Sequence, residues 1–260
     1  MPKTSDIKIG GRICAIFKGK PGTRKTCAAA TFPGPIYFFD FDGRMDPVKK
    51  MYPDRLDIEY DTYDLGDFAK ANAKFDRIMA KQDKYRTVVF DSLTTFADNV
   101  LDFARNTKMP GQTRERPKIG GILPVSEIAD FNIETTGLTQ LMYQLKRLSR
   151  TADCNVIVTA HVLETVANDI VNKTQTVSRS LLTAGKKIAE KFPAVFNEVY
   201  HFETSSPGPG IPPVTEVYTD NAGADFAKTA LPIPIRMTIT GLKLYDEIVK
   251  ECAKKGVEIG

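Results

Sequence analysis

Residues Gly19-Lys20-Pro21-Gly22-Thr23-Arg24-Lys25-Thr26 read Gly-x-x-x-x-Arg-Lys-Thr and follow directly on the apolar run Arg12–Phe17. The run reads as a buried strand, and Thr26-Cys27-Ala28-Ala29-Ala30 reads as the start of a helix. A strand, a glycine-bearing loop and a helix N-terminus together gather free backbone N–H groups around one point, because first-turn amides have no intrahelical partner. Such a point binds anions. The spacing is that of a phosphate-binding loop, in which backbone N–H groups cradle phosphates, the Lys reaches the outer phosphates and the Ser/Thr hydroxyl binds Mg2+. The candidate nucleotide-binding residues are therefore Gly19, Lys20, Pro21, Gly22, Thr23, Arg24, Lys25, Thr26 and Cys27.

Arg24 stands where the pattern has glycine. Glycine is favoured where φ is positive or where the backbone approaches a ligand closely. A non-glycine residue held in the left-handed region costs roughly 1–2 kcal/mol. That is small beside a multidentate contact to a nucleotide. The loop is expected to bind, with the Arg24 side chain turned to solvent or onto a phosphate.

At 260 residues the chain is long enough for one substantial core, and one domain over 1–260 is expected. Apolar residues make up 42% and charged residues 26%, as in an ordinary water-soluble globular protein. A net charge of +4 permits a nucleic-acid partner without arguing for one. No apolar run reaches the 18 or so residues that span a bilayer, and the N-terminus lacks the apolar core of a signal peptide. Cys14, Cys27, Cys154 and Cys252 lie far apart with no C-x-x-C pair, which favours reduced thiols and a cytoplasmic setting over disulfides or zinc.

Apolar runs alternate with helical patterns, the signature of βα units around a largely parallel sheet. The clearest strands are Arg12–Phe17, Pro35–Asp40, Thr87–Asp91, Asn155–Ala160 and Glu198–Glu203. Their near-continuous apolar character suits a sheet covered on both faces. Helices are expected at Asp67–Lys81, Thr94–Asn106, Glu134–Thr151 and Leu242–Lys254; in the third, Leu138, Leu141, Leu145 and Leu148 form a core-facing row. Ser205–Pro213 reads as a turn into an antiparallel strand at Val214–Thr219. Thr107–Gly121 and Val166–Lys187 lack periodicity and read as long basic loops, which in a compact domain are usually functional or mobile.

The partners of the loop decide the class of nucleotide chemistry. Thr87–Asp91 ends an apolar strand in Asp91-Ser92, where a carboxylate holds Mg2+ through its water shell opposite the loop threonine. Asp91 and Ser92 also suit the N-cap of the helix that follows. Asp40 and Asp42 leave the carboxyl end of a core strand, where ligands bind in open α/β sheets, and a carboxylate there orients or deprotonates an attacking water. His161 ends Asn155–Ala160, placed to touch a γ-phosphate.

The order of these motifs resembles the RecA-like core ATPases: the phosphate loop, then "FDFDGRMDP", "VVFDS" and "NVIVTAH". Within that group the chain is most similar to short phage-encoded nucleotide-binding proteins associated with single-strand annealing and recombination. The features in common are the Pro-Gly-Thr loop, the "DSLT" strand end, a strand ending in Ala-His, and Phe196-Asn197-Glu198-Val199. The likeness covers about residues 10–245. It implies an α/β RecA-like P-loop NTPase with a mostly parallel central sheet, flanking helices and antiparallel strands toward the C-terminus. It further implies that Mg2+ and ATP bind, with Thr26 and Asp91 serving the metal. Asp42 falls on the family's catalytic Glu, one methylene shorter, and His161 on its polar γ-phosphate sensor.

The same resemblance makes Thr107–Gly121 and Val166–Lys187 loops that face single-stranded DNA. Positive loops track a phosphate backbone with steep salt dependence, although neither stretch carries interleaved aromatics for stacking. In a head-to-tail ring or filament of copies, Arg179, Lys186, Lys187, Lys228 and Arg236 are candidates to reach a neighbour's nucleotide. The expected function is Mg-dependent ATP hydrolysis in phage recombination or single-strand annealing. Two rivals are a nucleotide-gated scaffold with negligible turnover and a small-molecule phosphotransferase using Thr107–Gly121 as a lid.

Overall fold

The protein is described from a computed structural model covering residues 11–107, 118–119, 123–169, 174–183, 186–206, 208, 213–221, 226–239, 241 and 243–260. The first half runs β1 (Cys14–Gly19), α1 (Lys25–Ala29), β2 (Ile36–Asp40), α2 (Asp46–Met51), β3 (Ile58–Thr62), α3 (Phe68–Met79), β4 (Thr87–Asp91) and α4 (Leu93–Asn106). Two short strands follow, β5 (Lys118–Ile119) and β6 (Leu123–Pro124), then the long helix α5 (Ile128–Thr151). The remainder comprises β7 (Asn155–Ala160), β8 (Val162–Asp169), β9 (Thr174–Leu181), α6 (Lys186–Val195), β10 (Glu198–Ser205), β11 (Val214–Tyr218), β12 (Arg236–Ile239) and α7 (Leu244–Ala253).

Eight strands form one sheet in the order β12-β11-β10-β1-β7-β4-β2-β3. The six from β10 to β3 are parallel, while at one edge β11 pairs antiparallel with both β10 and β12. This is the expected α/β fold. Strand residues alternate between two cores, as the two-residue period of a strand requires. Ile16, Tyr37, Phe39, Val88, Phe90, Val156 and Val158 pack with α3–α6, whereas Ala15, Phe17, Ile36, Phe38, Val89 and Ile157 pack with α1, α2 and α7. Both faces are covered, so these strands read as unbroken apolar runs. The row on α5 is core, with Leu138, Leu145 and Leu148 buried and Leu141 packed against them.

Three expectations need correction. Val166–Lys187 is not an irregular loop: β8 and β9 pair antiparallel from Val162↔Leu181 to Asp169↔Thr174, and α6 begins at Lys186. A two-stranded ribbon outside the main sheet has little apolar face to bury, which leaves no periodic signal. The first strand is shifted, running Cys14–Gly19, so the strand carries directly into the loop. Helix α5 begins at Ile128, ahead of Glu134. Of the basic stretch Thr107–Gly121, residues 108–117 and 120–121 lie outside the described residues.

The four cysteines are free thiols, and burial pushes those of Cys14 and Cys154 up to about 12. Among the described residues no helix is long and apolar enough to cross a membrane.

Candidate nucleotide site

The carboxyl ends of β1, β4, β2 and β7 meet at one cleft, where a ligand lies in a parallel sheet of this kind. The cleft has a volume of about 290 Å³ and is lined by Pro21, Gly22, Arg24, Lys25, Thr26, Cys27, Asp42, Arg44, Pro47, Met51, Asp91 and His161. Most of the sequence candidates therefore line one cavity. Gly19, at the end of β1, packs so tightly on β10 that a Cβ there would stand 2.5 Å from the Phe202 carbonyl oxygen. Lys20 and Thr23 turn toward a second cavity, beside Arg179, His201 and Glu203.

Arg24 sits at φ 66°, ψ 24°, the left-handed conformation for which glycine is favoured. Its conformation is paid in backbone strain of about 1 kcal/mol. Arg24→Gly is therefore expected to raise the melting temperature slightly and to leave ATP affinity intact or tighter. A large loss of affinity on titration would instead make the Arg24 guanidinium a phosphate ligand.

Lys25 is buried, and its Nζ donates to the carbonyl oxygens of Gly19 (3.0 Å) and Lys20 (2.9 Å) and to Thr23 Oγ1 (3.3 Å). The ammonium thus holds the loop in its curled form. Burial lowers its pKa to about 8, opposed by the charges of Asp91 and Asp42.

Across the cleft, Thr26 Oγ1 donates to Asp91 Oδ2 at 2.8 Å. Asp91 is buried, and Thr159 Oγ1 donates to its other oxygen. Burial raises the Asp91 pKa to about 6 despite the hydrogen bonds from Thr159 and Thr26. The N-cap and metal readings fall on separate residues: Ser92 caps α4, accepting from Thr95 N–H (3.4 Å), while Asp91 faces the loop. A hydroxyl beside a carboxylate is a hard-oxygen set suited to Mg2+, which takes few protein ligands and completes its shell from phosphates and water. These residues fit a Mg2+-nucleotide.

Asp42 is held by three side chains. Oδ1 accepts from Ser92 Oγ (2.8 Å) and Thr95 Oγ1, and Oδ2 lies 3.4 Å from His161 Nε2. Burial pushes its pKa up, but the hydrogen bonds from His161, Thr95 and Ser92 outweigh burial and hold it at about 2. His161 is fixed in turn by its backbone N–H, which donates to Thr94 Oγ1 at 3.1 Å. Its Nδ1 is buried without a partner among the described residues.

Asp40 plays a different part. It is buried and accepts from Arg44 N–H (3.2 Å) and Thr62 Oγ1 (3.1 Å), which pins the β2–α2 turn. Backbone N–H groups of Phe41 and Asp42 add hydrogen bonds to the Asp91 carbonyl (2.6 and 3.2 Å). Sequence reasoning missed Thr159, Thr95, Thr94 and Arg44. The hydroxyl run Ser92-Leu93-Thr94-Thr95 after a strand-terminal acid was the available signal.

The residues offered as contacts to a neighbour are engaged within the chain where described. Arg179 pairs with Glu164 (2.9 Å) and Glu203 (3.1 Å), Lys228 donates to the Ala194 carbonyl (3.1 Å), and Arg236 pairs with Glu216. Lys186 and Lys187 open α6, and their side chains lie outside the description.

A curled Lys-Thr loop between β1 and α1, an acid at the end of β4 facing its threonine, and a parallel sheet flanked by helices define a P-loop NTPase domain of RecA-like architecture. The chain belongs to the AAA domain family, whose model matches residues 12–231. Similar solved structures include the RadB recombinase (TM-score 0.48, 13% identity, covering 90% of each chain). Others are the flagellar accessory protein FlaH from Methanocaldococcus jannaschii (0.43, 9%, 88% of this chain and 85% of that one) and a KaiC-like protein from Pyrococcus horikoshii OT3 (0.41, 13%, 82% and 87%). No curated protein matches the chain.

Proposed function

We propose that this chain binds Mg2+-ATP in the cleft and hydrolyses it slowly, in the service of DNA recombination or single-strand annealing of the phage type. The observation that carries the nucleotide reading is the 2.8 Å contact of Thr26 with Asp91, in one cavity with Lys25, Asp42 and His161. Lys25 leaves the loop carbonyls for the outer phosphates. Thr26 and Asp91 hold the metal, which when bound supplies positive charge to the phosphates. Asp42 orients the attacking water. His161, which touches Asp42 and leads directly into β8, reports the state of the terminal phosphate to the β8–β9 hairpin.

The role on DNA rests on the resemblance of the motifs, since fold alone does not fix function. The hairpin and the basic stretch Thr107–Gly121 are the proposed contacts with single-stranded DNA, in a ring or filament of copies. A titration of ATP with Mg2+ and with EDTA tests the site: Mg2+ is expected to tighten binding, and binding indifferent to Mg2+ contradicts it. Single-stranded oligonucleotide binding that weakens steeply with salt is expected in parallel.

One observation favours a second reading. A carboxylate held near pKa 2 by three donors is a poor proton acceptor, which suits a nucleotide-gated scaffold with negligible turnover. That scaffold binds ATP and releases no phosphate above background.

A further inference from the structure

Arg44 follows Asp42 by two residues in the β2–α2 turn, and its side chain lines the nucleotide cleft. Gly43 between them lies at φ 64°, which reverses the chain and allows both flanking residues to face one cavity. The turn is rigidly held. Asp40 accepts the Arg44 backbone N–H and the Thr62 hydroxyl, and Phe41 and Asp42 hydrogen-bond to the end of β4. Among the described residues, the Arg44 guanidinium has no carboxylate or hydrogen-bond partner, although Asp42, Asp46 and Asp91 are all near in sequence or site.

A surface arginine without a partner is ordinary. One on an exposed but hydrogen-bonded turn, opening into the cleft that holds Lys25 and Thr26, is placed for an anion. Its planar fork suits bidentate contact with phosphate oxygens. Arg24 lines the same cavity, but at the helix end of the loop beside Cys27, whose thiol burial pushes up to about 11 against the opposing charge of Arg24. Arg44 instead shares its turn with Asp42, the residue at His161 and the water-attack side.

We propose that Arg44 is a cis-acting ligand of the terminal phosphate, contributed by the same chain that holds the nucleotide, with Asp40 as the positioning residue that aims it. This rests on the cleft being a nucleotide site, as proposed above. A cation supplied in cis lets a single chain discriminate a triphosphate from a diphosphate without a neighbour's arginine.

The test compares affinities for a non-hydrolysable ATP analogue and for ADP, each with Mg2+, in wild type, Arg44→Ala, Arg44→Lys and Asp40→Asn. One charge-assisted arginine–phosphate contact corresponds to about 10- to 100-fold in affinity. Arg44→Ala is expected to lose that factor for the ATP analogue and to stay within about threefold for ADP, with Arg44→Lys recovering part of it. Asp40→Asn is expected to shift the ratio the same way and less. Arg44 is exposed, so the variant's melting temperature is expected to match wild type. Equal losses for both nucleotides, or no loss for either, overturn the assignment while the nucleotide site stands. Wild-type protein that binds neither nucleotide overturns the site reading itself.

Discussion

Lys25→Ala is expected to lower the affinity for Mg2+-ATP by at least about 100-fold, since it removes the charge-assisted hydrogen bonds proposed to the outer phosphates. The structure adds a second consequence. The same ammonium donates to the carbonyls of Gly19 and Lys20 and to Thr23 Oγ1. Its loss removes the link between Gly19, Lys20 and Thr23, leaving only the Thr23 hydrogen bonds to the Lys20 carbonyl, and loosens the curl that arranges the backbone N–H groups. Titration calorimetry checks the affinity, and amide exchange over residues 19–26 checks the loop.

Lys25 also sets a pH dependence. In the free protein burial lowers its pKa to about 8, and bound phosphates raise it again. A group whose bound-state pKa is the higher one favours binding fully below the free-state value. Affinity is therefore constant below about pH 8 and falls, by up to about tenfold per unit, as pH rises above it. Titrations at pH 7 and 9 that give equal affinities contradict this account of Lys25.

The second large effect is on turnover. Asp42→Asn is expected to reduce phosphate release by about 100-fold or more while leaving the ATP dissociation constant within about threefold. Asp42 keeps its negative charge down to about pH 2, so in the proposed role it would act by orienting water and stabilising charge, and rate changes near neutrality are not its titration. Ser92 and Thr95 already fill Oδ1 and His161 lies on Oδ2, so an attacking water would use the remaining acceptor site of Oδ2 beside His161. Single-turnover measurement of Asp42→Asn decides the point: an unchanged rate removes Asp42 from the chemistry.

Much of this was legible in the residues because burial writes its own pattern. β4 and β7 fall at the expected Thr87–Asp91 and Asn155–Ala160, being parallel strands covered on both faces. The edge strand β3 (Ile58–Thr62) escaped notice, since Glu59, Tyr60, Asp61 and Thr62 are exposed and carry no apolar period. In the β8–β9 ribbon, Leu163, Glu164, Thr165 and Val166 are likewise exposed. At the site, Lys25, Thr26, Asp42, Asp91 and His161 could be read because each stands at a strand end or in a spaced motif. Thr159 and Thr95 lie within a strand and a helix, where a hydroxyl carries no pattern, and only the fold brings them to Asp91 and Asp42. Asp40 shows the reverse case: a motif acid at the right strand end that the fold spends on holding a turn.

The central claim is that this cleft hydrolyses Mg2+-ATP in response to DNA. The most direct measurement is phosphate release from Mg2+-ATP with and without single-stranded DNA, using Lys25→Ala as the blank. The account predicts release that DNA stimulates and that the variant lacks. Release at the level of the blank in both conditions contradicts it.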